Sequence, residues 1–396
     1  MSSAAVHKLT IFPLSIPLRR PVVHAASTRV AADPIVVRIE LIGGAVGFGE
    51  TLPRTYVTGE DRPGTIEALR TCFVRELLDL RPPDFPSGLE AAGGLGWHDD
   101  TGRFVPAARA AVELALLDAY SRHFRRSITD AAGWLGFHDF GPPGSIGRVR
   151  VAAVLASNDF RRFRNTATKA IWAGLRDFKV KVGDEHDTTR LAWMARRLGR
   201  SLHRGSRTLR VDANGAWTAE QAVQRLDGWR DLPIAFVEQP LARGDEEALA
   251  ALDGAQIPPV MLDESLVSLD DAHSAFQHPC VKAFNIRLSK CGGFLPSIKI
   301  AHFAKRNHLD LLIGCMVGET SILSGAARRL LELTTPVRFT EGNYAGLLLR
   351  GEVVDKPLRF GLSGRLKPLA GFGWGVRVNE SRLAALCTEA PIDCPF

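Results

Sequence analysis

The sequence predicts an α/β fold in which a parallel (β/α) barrel follows a separate α+β unit. Between residues 177 and 293, short apolar runs each end in one or two charged residues. Four of these charged residues follow one another at intervals of 26, 25 and 24: Asp212, Glu238, Asp263 and Arg287. A repeat of this length accommodates one strand and one helix. Barrels built from such units carry their chemistry at the carboxyl ends of the strands.

The first 140 residues predict a mixed α+β domain. We expect strands over 8–16, 35–42 and 44–50, and helices over 65–80 and 106–124. Pro106 suits a first helical position, because its fixed φ matches the helix and its missing N–H is not needed there. A polar loop is expected at 53–61, and the Pro/Gly-rich stretch 82–103 is expected to be irregular.

From residue 141 onward the pattern alternates between strand and helix. GPPG at 141–144 marks the boundary. The predicted strands are 149–156, 177–182, 208–212, 234–238, 259–263, 281–288, 309–314 and 336–341. The predicted helices between them are 158–174, 187–199, 218–230, 245–253, 269–277, 294–307 and 320–333. We therefore divide the chain into an α+β domain (1–140), a barrel (141–345) and a segment returning to the first domain (346–396). An open doubly wound sheet is the alternative, but it gives no reason for acids at successive strand ends.

Composition excludes several classes of protein. The chain has 396 residues, 45% hydrophobic content and a formal net charge of +7. Its arginines are dispersed and are not interleaved with aromatic residues, which argues against nucleic-acid binding. No apolar run reaches the length needed to cross a membrane, and the N-terminus lacks the pattern of a secretory signal. Six scattered cysteines without metal-ligand spacing indicate reduced thiols in a cytoplasmic protein.

Three carboxylates are the candidate metal ligands. Asp212, Glu238 and Asp263 end three consecutive predicted strands. Neighbouring strands lie about 4.8 Å apart, so the three side chains can meet at one point. Three anions in one place repel unless a cation holds them, and hard oxygen ligands favour Mg²⁺, with Mn²⁺ as a possible substitute. The alternative is that each acid caps a helix or pairs with a nearby lysine or arginine.

Two lysines on the preceding strand are the candidate bases. Lys179 and Lys181 share one side of their strand by the two-residue alternation. Crowding beside a metal site would lower a lysine pKa toward a value useful for a base. The alternative is two lysines reaching solvent at the barrel rim. A divalent cation with a neutral amine suits removal of a proton α to a carboxylate, through an enediolate.

These motifs together resemble a known family. GFGE (47–50) and PAARAAVELALLD (106–118) occur in the first domain, and KVK, VDANGAW, VEQP, LDES and KCGG occur in the barrel. The whole set resembles the enolase superfamily, specifically the mandelate racemase/muconate lactonizing enzyme family and its muconate lactonizing and dipeptide epimerase-like subgroup. The resemblance implies a (β/α)7β barrel of TIM type, covered by an α+β capping domain built from the N-terminal region and the C-terminal tail.

The resemblance also implies roles for individual residues. It makes Asp212, Glu238 and Asp263 the Mg²⁺ ligands, Lys181 the acid/base and Lys179 its electrostatic partner. It implies that Asn214 and Glu264 support them, and that cap loops near 17–30 and 53–61, the latter containing Tyr56, close over the substrate and select it. Glu319 is expected to face the site, unless it only contributes a negative charge to the helix that follows.

Arg287 is the first departure from the family pattern. The subgroup carries a second lysine at this position, and Lys290 lies three residues later. Arginine stays protonated and is a poor base. A single-base course through Lys181 therefore fits better than racemisation with one base on each face. It suits cycloisomerisation or syn elimination, with Arg287 as a fixed cation.

The eighth strand is the second departure. Dipeptide epimerases show Asp-x-Asp there, which binds the substrate ammonium, whereas this chain has Glu341-Gly342-Asn343. YVTGE (56–60), however, is similar to the epimerases' cap loop. The first observation argues against a dipeptide substrate, and the second argues for one.

The leading hypothesis is thus a Mg²⁺-dependent isomerase or carbon–oxygen lyase acting on a small-molecule carboxylate. Cycloisomerisation or syn elimination by one lysine is the main interpretation, and epimerisation or racemisation of a dipeptide or N-acyl amino acid is the alternative. A Schiff-base aldolase leaves the three acids unexplained. A non-catalytic carboxylate-binding homologue remains a further hypothesis. Analogy with the family alone suggests a homo-oligomer.

Overall fold

The N-terminal region forms an antiparallel sheet with helices on one side. In this computed structural model, residues 3–24, 27–138, 140, 146 and 149–396 are described. The strands are β1 (Val6–Pro13), β2 (Ile16–His24), β3 (Ser27–Ala32), β4 (Ile35–Leu41) and β5 (Val46–Thr51). Strands β1, β4 and β5 pair antiparallel in that order, and β2 pairs with β3 as a separate hairpin.

The helices of this region are α1 (Thr55–Thr58), α2 (Arg62–Ala68), α3 (Val74–Leu77), α4 (Phe85–Gly93), α5 (Pro106–Phe124) and α6 (Ala131–Trp134). A π-helical segment, Leu69–Phe73, joins α2 to α3, and a 3-10 turn, Ile128–Asp130, precedes α6. Helix α5 is buried along most of its length and packs on β5. Gly47 and Gly49 permit this contact, because a Cβ on either glycine would collide with the α5 backbone.

The centre of the chain is a closed parallel barrel. Its strands are β6 (Ala153–Leu155), β7 (Asp177–Lys181), β8 (Thr208–Asp212), β9 (Val237–Glu238), β10 (Val260–Leu262), β11 (Val281–Ile286), β12 (Asp310–Ile313) and β13 (Phe339–Thr340). They pair in sequence order. A parallel bridge between Val151 and Thr340, with the Ala152 N–H donating to the Thr340 carbonyl at 2.9 Å, joins the last strand to the first.

Helices on the outside connect successive barrel strands. They are α7 (Phe160–Trp172), α8 (Asp187–Leu198), α9 (Arg200–His203), α10 (Ala219–Asp227), α11 (Leu269–Phe276), α12 (Phe294–Arg306) and α13 (Ser321–Thr334). Between β9 and β10 the connection contains a 3-10 helix, Glu246–Ala251, in place of an α-helix. The architecture is the predicted (β/α)7β barrel.

The C-terminal tail returns to the first domain. It contains α14 (Ala345–Leu348), a 3-10 turn at Leu362–Gly364, α15 (Glu380–Ala385) and β14 (Ile392–Pro395). Strand β14 pairs antiparallel with β1 and completes the four-stranded sheet. The buried Trp374 donates from its indole Nε1 to the Phe48 carbonyl at 2.9 Å. The tail therefore packs on the first domain.

Three sequence predictions of local structure are wrong. The polar loop expected at 53–61 contains helix α1, and the α-helix expected at 245–253 is a 3-10 helix. Residues 82–103 were expected to be irregular, but α4 occupies Phe85–Gly93. Its start follows ordinary capping rules, since the Asp84 side chain accepts from the Ser87 N–H at 2.9 Å and a proline lies in the first turn. The predicted boundary at 141–144 lies outside the described residues.

Two clusters of buried apolar residues stabilise the barrel. The larger core lies between strands, helices and cap, and a smaller cluster fills the barrel interior. The interior cluster consists of Phe236, Met261, Ala283, Leu312 and Phe339. Polar residues two positions further along β9, β10, β11 and β13 share its side of the strands. The apolar layer therefore supports a charged layer at the carboxyl ends.

No helix among the described residues is long and apolar enough to cross a membrane. The six cysteines are free thiols.

Candidate active site

The strand ends bring the predicted residues into one layer. Lys181, Asp212 and Glu238 are direct Cα partners on the neighbouring strands β7, β8 and β9. Glu238 in turn pairs with Met261 on β10, two residues before Asp263. The parallel register therefore places one lysine and three carboxylates side by side at one end of the barrel.

The three carboxylates are fully buried and offer only oxygen atoms. Asp212 Oδ2 and Asp263 Oδ1 have no hydrogen-bond partner. As the side chains stand, no three acidic, histidine or cysteine side chains of the described residues are grouped to hold an ion. Each carboxylate instead lies against a cation, and Asp263 Oδ2 is paired with Arg287. Buried carboxylate oxygens that accept no hydrogen bond are suited to bind a hard cation. The Asp263 side chain would have to rotate away from the Arg287 guanidinium to bind it.

Lys179 lies at the centre of the anionic group. Its Nζ is 2.8 Å from Glu341 Oε2, 3.1 Å from Glu238 Oε1 and 3.3 Å from Asp212 Oδ2. Burial alone would lower the pKa of Lys179, but Glu238, Glu341 and Asp212 together raise it above its usual value. The expectation of a lowered pKa is therefore wrong for this lysine. Lys179 is a fixed positive charge, since three acids outweigh desolvation.

Lys181 is the more accessible of the two lysines. Its side chain is 17% exposed, and its Nζ lies 3.6 Å from Asp212 Oδ2. The ammonium donates to Asn214 Oδ1, and Asn214 Nδ2 donates to Glu264 Oε1 at 3.2 Å. Burial, followed by the charges of Asp212 and Glu238, raises the pKa of Glu264 to about 7. The Asn214 amide thus orients the Lys181 side chain. The other oxygen of Glu264, Oε2, has no hydrogen-bond partner.

Arg287 lies across the barrel from Lys181. Their strands, β11 and β7, are four places apart in a ring of eight, and are therefore opposite. The three acids occupy the arc between them. Besides Asp263, Arg287 contacts Met316, with Nη1 at 3.8 Å from the sulfur.

Lys290 is fully buried and its ammonium is bound mainly by backbone carbonyls. Its buried Nζ donates to the Asp263 carbonyl at 2.7 Å and the Asn285 carbonyl at 2.9 Å, and also to the Leu266 carbonyl. Three backbone acceptors make this lysine a structural group. The Lys290 Nζ also lies 3.5 Å from Asp263 Oδ1, so both cations contact this candidate ligand, but only Arg287 is partly exposed, whereas Lys290 is fully buried.

Sequence reasoning missed three residues of the charged layer. Arg210 is fully buried and donates to Glu238 Oε2 and to Glu341 Oε1, both at 2.9 Å. Asn285 donates from Nδ2 to Glu238 Oε1 at 2.9 Å. Gln239 accepts from the Asp263 N–H at 2.9 Å, which fixes the backbone of that acid. The signal for the first two was available, because Arg210 precedes Asp212 by two positions and Asn285 precedes Arg287 by two.

The two polar side chains that follow the eighth strand, Glu341 and Asn343, point in different directions. Both oxygens of Glu341 are taken, one by Lys179 and one by Arg210. The Asn343 side chain turns toward helix α13, where Oδ1 accepts from Arg328. Neither side chain is free to receive a substrate ammonium in this arrangement.

Glu319 is buried after the seventh barrel strand, whereas Tyr56 is on the cap. Glu319 accepts from the Met316 N–H at 3.2 Å and from the Ser324 hydroxyl at 2.9 Å. A Cβ at Gly342 would lie 3.4 Å from Glu319 Oε1, so this carboxyl faces the eighth strand. Burial and the nearby Glu50 raise the pKa of Glu319 to about 8. Tyr56 lies in α1 and is 44% exposed.

The cap hairpin adjoins the barrel mouth. The Arg350 N–H, after α14, donates to the Pro17 carbonyl of β2 at 2.9 Å, and Leu18 forms a bridge with Leu349. Ala32, at the end of β3, packs against Gly318 beyond β12. The start of β2 and the end of β3, which together form the base of the hairpin, thus contact segments that follow the last two barrel strands.

The family is decided by a sequence comparison. Residues 162–382, more than half of the chain, match the model of the enolase C-terminal domain-like family. The chain belongs to the enolase superfamily. The fold class and the resemblance predicted from the sequence are confirmed.

Relatives of this enolase-superfamily chain are isomerases. It is 27% identical to N-succinyl-L-Arg/Lys racemase of Bacillus cereus, over 98% of each chain. It is 30% identical to the hydrophobic dipeptide epimerase of Enterococcus faecalis, over 90% of this chain and 94% of that one. It is 28% identical to muconate cycloisomerase 1-2 of Acinetobacter lwoffii, over 88% and 86%. The protein is accordingly an enzyme of the isomerase type.

Solved structures agree in fold. The crystal structure of the Bacillus cereus racemase superposes with a TM-score of 0.85 at 23% identity, covering 98% of this chain and 100% of that one. The Enterococcus faecalis dipeptide epimerase, crystallised with Mg and the dipeptide L-Leu-L-Tyr, superposes with a TM-score of 0.78 at 26% identity, covering 94% and 99%. The enolase-superfamily barrel and cap thus span almost the whole chain.

Proposed function

We propose that this enzyme is a Mg²⁺-dependent racemase or epimerase of an α-amino acid derivative, which removes the α-proton with Lys181. The observation that carries the proposal is the placement of Lys181 and Arg287 on opposite strands, with three buried carboxylates between them. A substrate carboxylate held over the acids would present its α-carbon to one cation on each face. The racemase and epimerase relatives, which align along 90% or more of this chain, support the same class.

Each residue then has a distinct task. Lys181 takes the proton, because it is the lysine that is partly exposed and held by a neutral amide. Lys179 keeps its proton, so it contributes only positive charge beside the substrate carboxylate. Arg287 occupies the opposite face, where its guanidinium would stabilise the negative charge and deliver a proton to the α-carbon, then regain one from solvent. This delivery would be slow, because a guanidinium releases its proton with difficulty.

The metal would be held by Asp212, Glu238 and Asp263. The fit rests on the two buried oxygens without partners and on a donor set made only of carboxylates. When bound, Mg²⁺ would stabilise the negative charge that the substrate carboxylate gains on deprotonation. Mn²⁺ has the same ligand preferences and is proposed as a substitute.

The substrate nitrogen is best explained as acylated. Glu341 is held by Lys179 and Arg210, and Asn343 by Arg328, so the eighth strand lacks a carboxylate free to bind an ammonium. An N-acyl amino acid needs no such partner, whereas a dipeptide with a free amino terminus does. We therefore place N-acyl amino acids ahead of dipeptides. Tyr56 and the hairpin of β2 and β3 remain the proposed cover over the substrate.

A second candidate function follows from Arg287. Cycloisomerisation and syn elimination need one base on one face, which Lys181 provides. A guanidinium holds its proton strongly and is therefore a poor proton donor to the other face. The muconate cycloisomerase relative belongs to this class.

Exchange in D₂O tests both candidates. The Mg²⁺-loaded protein is incubated with each enantiomer of N-succinyllysine, with L-Leu-L-Tyr and with cis,cis-muconate, and α-deuterium and products are followed by NMR. Racemisation predicts exchange and interconversion of both N-succinyllysine enantiomers. The one-base candidate predicts exchange of a single enantiomer, or lactone from muconate.

Two outcomes would contradict the proposal. Activity that survives EDTA, together with borohydride trapping of an adduct on Lys181, would indicate a Schiff-base enzyme. Ligand binding without exchange or product from any probe would indicate a non-catalytic carboxylate-binding protein. The oligomeric state is measured separately by light scattering, and we expect a homo-oligomer.

A further inference from the structure

The loop that carries Arg287 is packed against the cap domain. It runs from Arg287 to Gly293, between β11 and α12, and its two glycines have φ of +77° and +117°. A Cβ on Gly292 would collide with the ring of Trp97, and one on Gly293 would collide with the carboxyl of Glu113. The glycine pair is therefore required by contact with the other domain as well as by its backbone conformation.

Two side chains of α5, one turn apart, hold this loop. Arg109 is 1% exposed and donates from Nη1 to the Gly292 carbonyl, while its guanidinium stacks on Trp97 at 4.4 Å. Glu113 accepts from the Phe294 N–H at Oε2 and the Leu295 N–H at Oε1, both at 2.7 Å. A cation thus binds a carbonyl and an anion binds two N–H groups of the same short segment.

Glu113 replaces a helix cap that the barrel does not supply. The residue before α12 is Gly293, which has no side chain to accept from the first N–H groups. Those groups lack intrahelical partners, and a negative charge at a helix N-terminus is favourable. The carboxylate that completes α12 therefore comes from the cap domain.

Side chains of the loop make further contacts with both domains. Lys290 binds the carbonyls of Asp263 and Asn285. The Ser289 hydroxyl lies 2.8 Å from that of Thr51 and accepts from the Leu52 N–H at 3.1 Å. Of the two cations of the loop, Lys290 is fully buried, and Arg287 is the one whose side chain is partly exposed beside Asp263.

We infer that Arg109 and Glu113 of the cap domain are positioning residues that fix the loop from Arg287 to Gly293, and so place the Arg287 guanidinium against the substrate. This inference rests on the proposed role of Arg287 in the reaction. The cap then has a second task besides covering the substrate, because it sets the geometry of one catalytic group. A misplacement of about 1 Å at such a group costs up to about 100-fold in rate.

The test compares two isosteric changes on the same helix. Glu113→Gln leaves one carbonyl oxygen for two N–H donors. Asp118→Asn is the matched control, because Asp118 is buried on α5 and accepts from the N–H groups of Phe48 and Trp374, both outside the barrel strands and helices. Hydrogen–deuterium exchange of peptides covering 287–295 is measured in both proteins. We expect faster exchange there in Glu113→Gln only.

The second part of the test measures the turnover of N-succinyllysine by the same variants. We expect kcat to fall about 10- to 100-fold in Glu113→Gln, with a smaller change in KM and little change in Asp118→Asn. Adding Glu113→Gln to Arg287→Met should lower kcat no further than Arg287→Met alone, because the effect acts through Arg287.

The outcomes separate this inference from the proposed function. Equal exchange over 287–295 in the two variants, or an equal loss of kcat, overturns the positioning role. So does a full additional loss in the double variant. A wild-type protein that turns over none of the probes contradicts the proposed function, and the exchange measurement still decides whether the cap holds the loop.

Discussion

At the scale of single residues, the charged layer is a set of buried ion pairs around a few exposed groups. Lys179 and Arg210 each bind Glu238 and Glu341, so two cations and two anions balance inside the barrel. The guanidinium of Arg210 also stacks on the ring of Phe339 at 4.4 Å. Such groups tolerate burial only while every partner is present.

Replacing Arg210 should therefore destabilise the fold. Arg210→Met leaves Glu238 and Glu341 each without one partner in a buried site, and we expect a loss of about 3–5 kcal/mol in the free energy of unfolding. Urea denaturation checks this. Arg230→Met is the control, because Arg230 is 61% exposed and pairs with Asp227 on the surface, where no measurable change is expected. Equal stability of the two variants would contradict the structural role of Arg210.

A lysine at position 287 should ease proton transfer on the opposite face. Unlike arginine, lysine can lose and regain its proton near neutral pH when its pKa is lowered by its surroundings. In Arg287→Lys we expect α-deuterium exchange of the enantiomer whose proton faces β11 to rise by about 100-fold. Arg287→Met, which has no proton to transfer, is the control. An unchanged ratio of the two enantiomers' exchange rates would show that residue 287 does not reach the α-carbon.

At the scale of elements, neighbouring parallel strands make the candidate metal site. Parallel register aligns Asp212 with Glu238, and Gln239 fixes the backbone at Asp263. Asp212 and Glu238 are the last residues of β8 and β9, and Asp263 directly follows β10, so the strand ends position all three acids. This explains why three acids separated by about 25 residues in sequence converge.

Metal should stabilise the protein by joining three strands. At a free Mg²⁺ concentration 100 times the dissociation constant, we expect about 2.7 kcal/mol of added stability. Thermal unfolding with Mg²⁺ and with EDTA measures the shift, and turnover should vanish in EDTA and return with Mg²⁺. Asp212→Asn should remove most of the shift, whereas Asp227→Asn, on the surface, should keep it. A shift retained in Asp212→Asn would place the ion elsewhere.

At the scale of the whole molecule, buried glutamates of the cap tie the two domains together. Glu50 accepts from the Thr320 N–H at 2.7 Å and the Leu323 N–H at 2.9 Å, at the start of α13. Glu113 does the same for α12. Burial raises the pKa of each carboxyl to about 7. The GFGE and PAARAAVELALLD motifs therefore carry interdomain helix caps.

These raised pKa values predict a pH dependence of stability. A carboxyl with a folded pKa of about 7 and an unfolded pKa of about 4.5 binds more protons when folded, so its contribution is lost as pH rises through this window. Each group can contribute up to about 3 kcal/mol at low pH.

Urea denaturation of wild type and Glu113→Gln, in EDTA between pH 5 and 8, measures this contribution. The stability difference between the two proteins should be largest at pH 5 and should shrink toward pH 7.5. Glu67→Gln, whose carboxyl is 62% exposed, should show no such trend. A difference that grows with pH would contradict the raised pKa.

Residue order alone predicted the barrel, its eight strands and the three candidate carboxylates. These follow from short-range regularities, since apolar runs, their spacing and the charge at each end are set by local residue order. It also identified Arg287 as the residue that departs from the family. Helix α4 was missed because its prolines and glycines resemble loop composition, although Asp84 and Pro86 form an ordinary helix start.

The pairing of the buried charges could be seen only in the folded protein. Arg210 and Glu341 are 131 residues apart, and Glu113 lies 181 residues from the N–H group of Phe294 that it binds. Local periodicity carries no information on such pairs, because they form where separate elements pack. The raised pKa of Lys179 has the same origin, since it depends on three acids brought from three strands. The charged side chains can thus be read from the sequence, but their partners and their protonation states depend on how the elements pack.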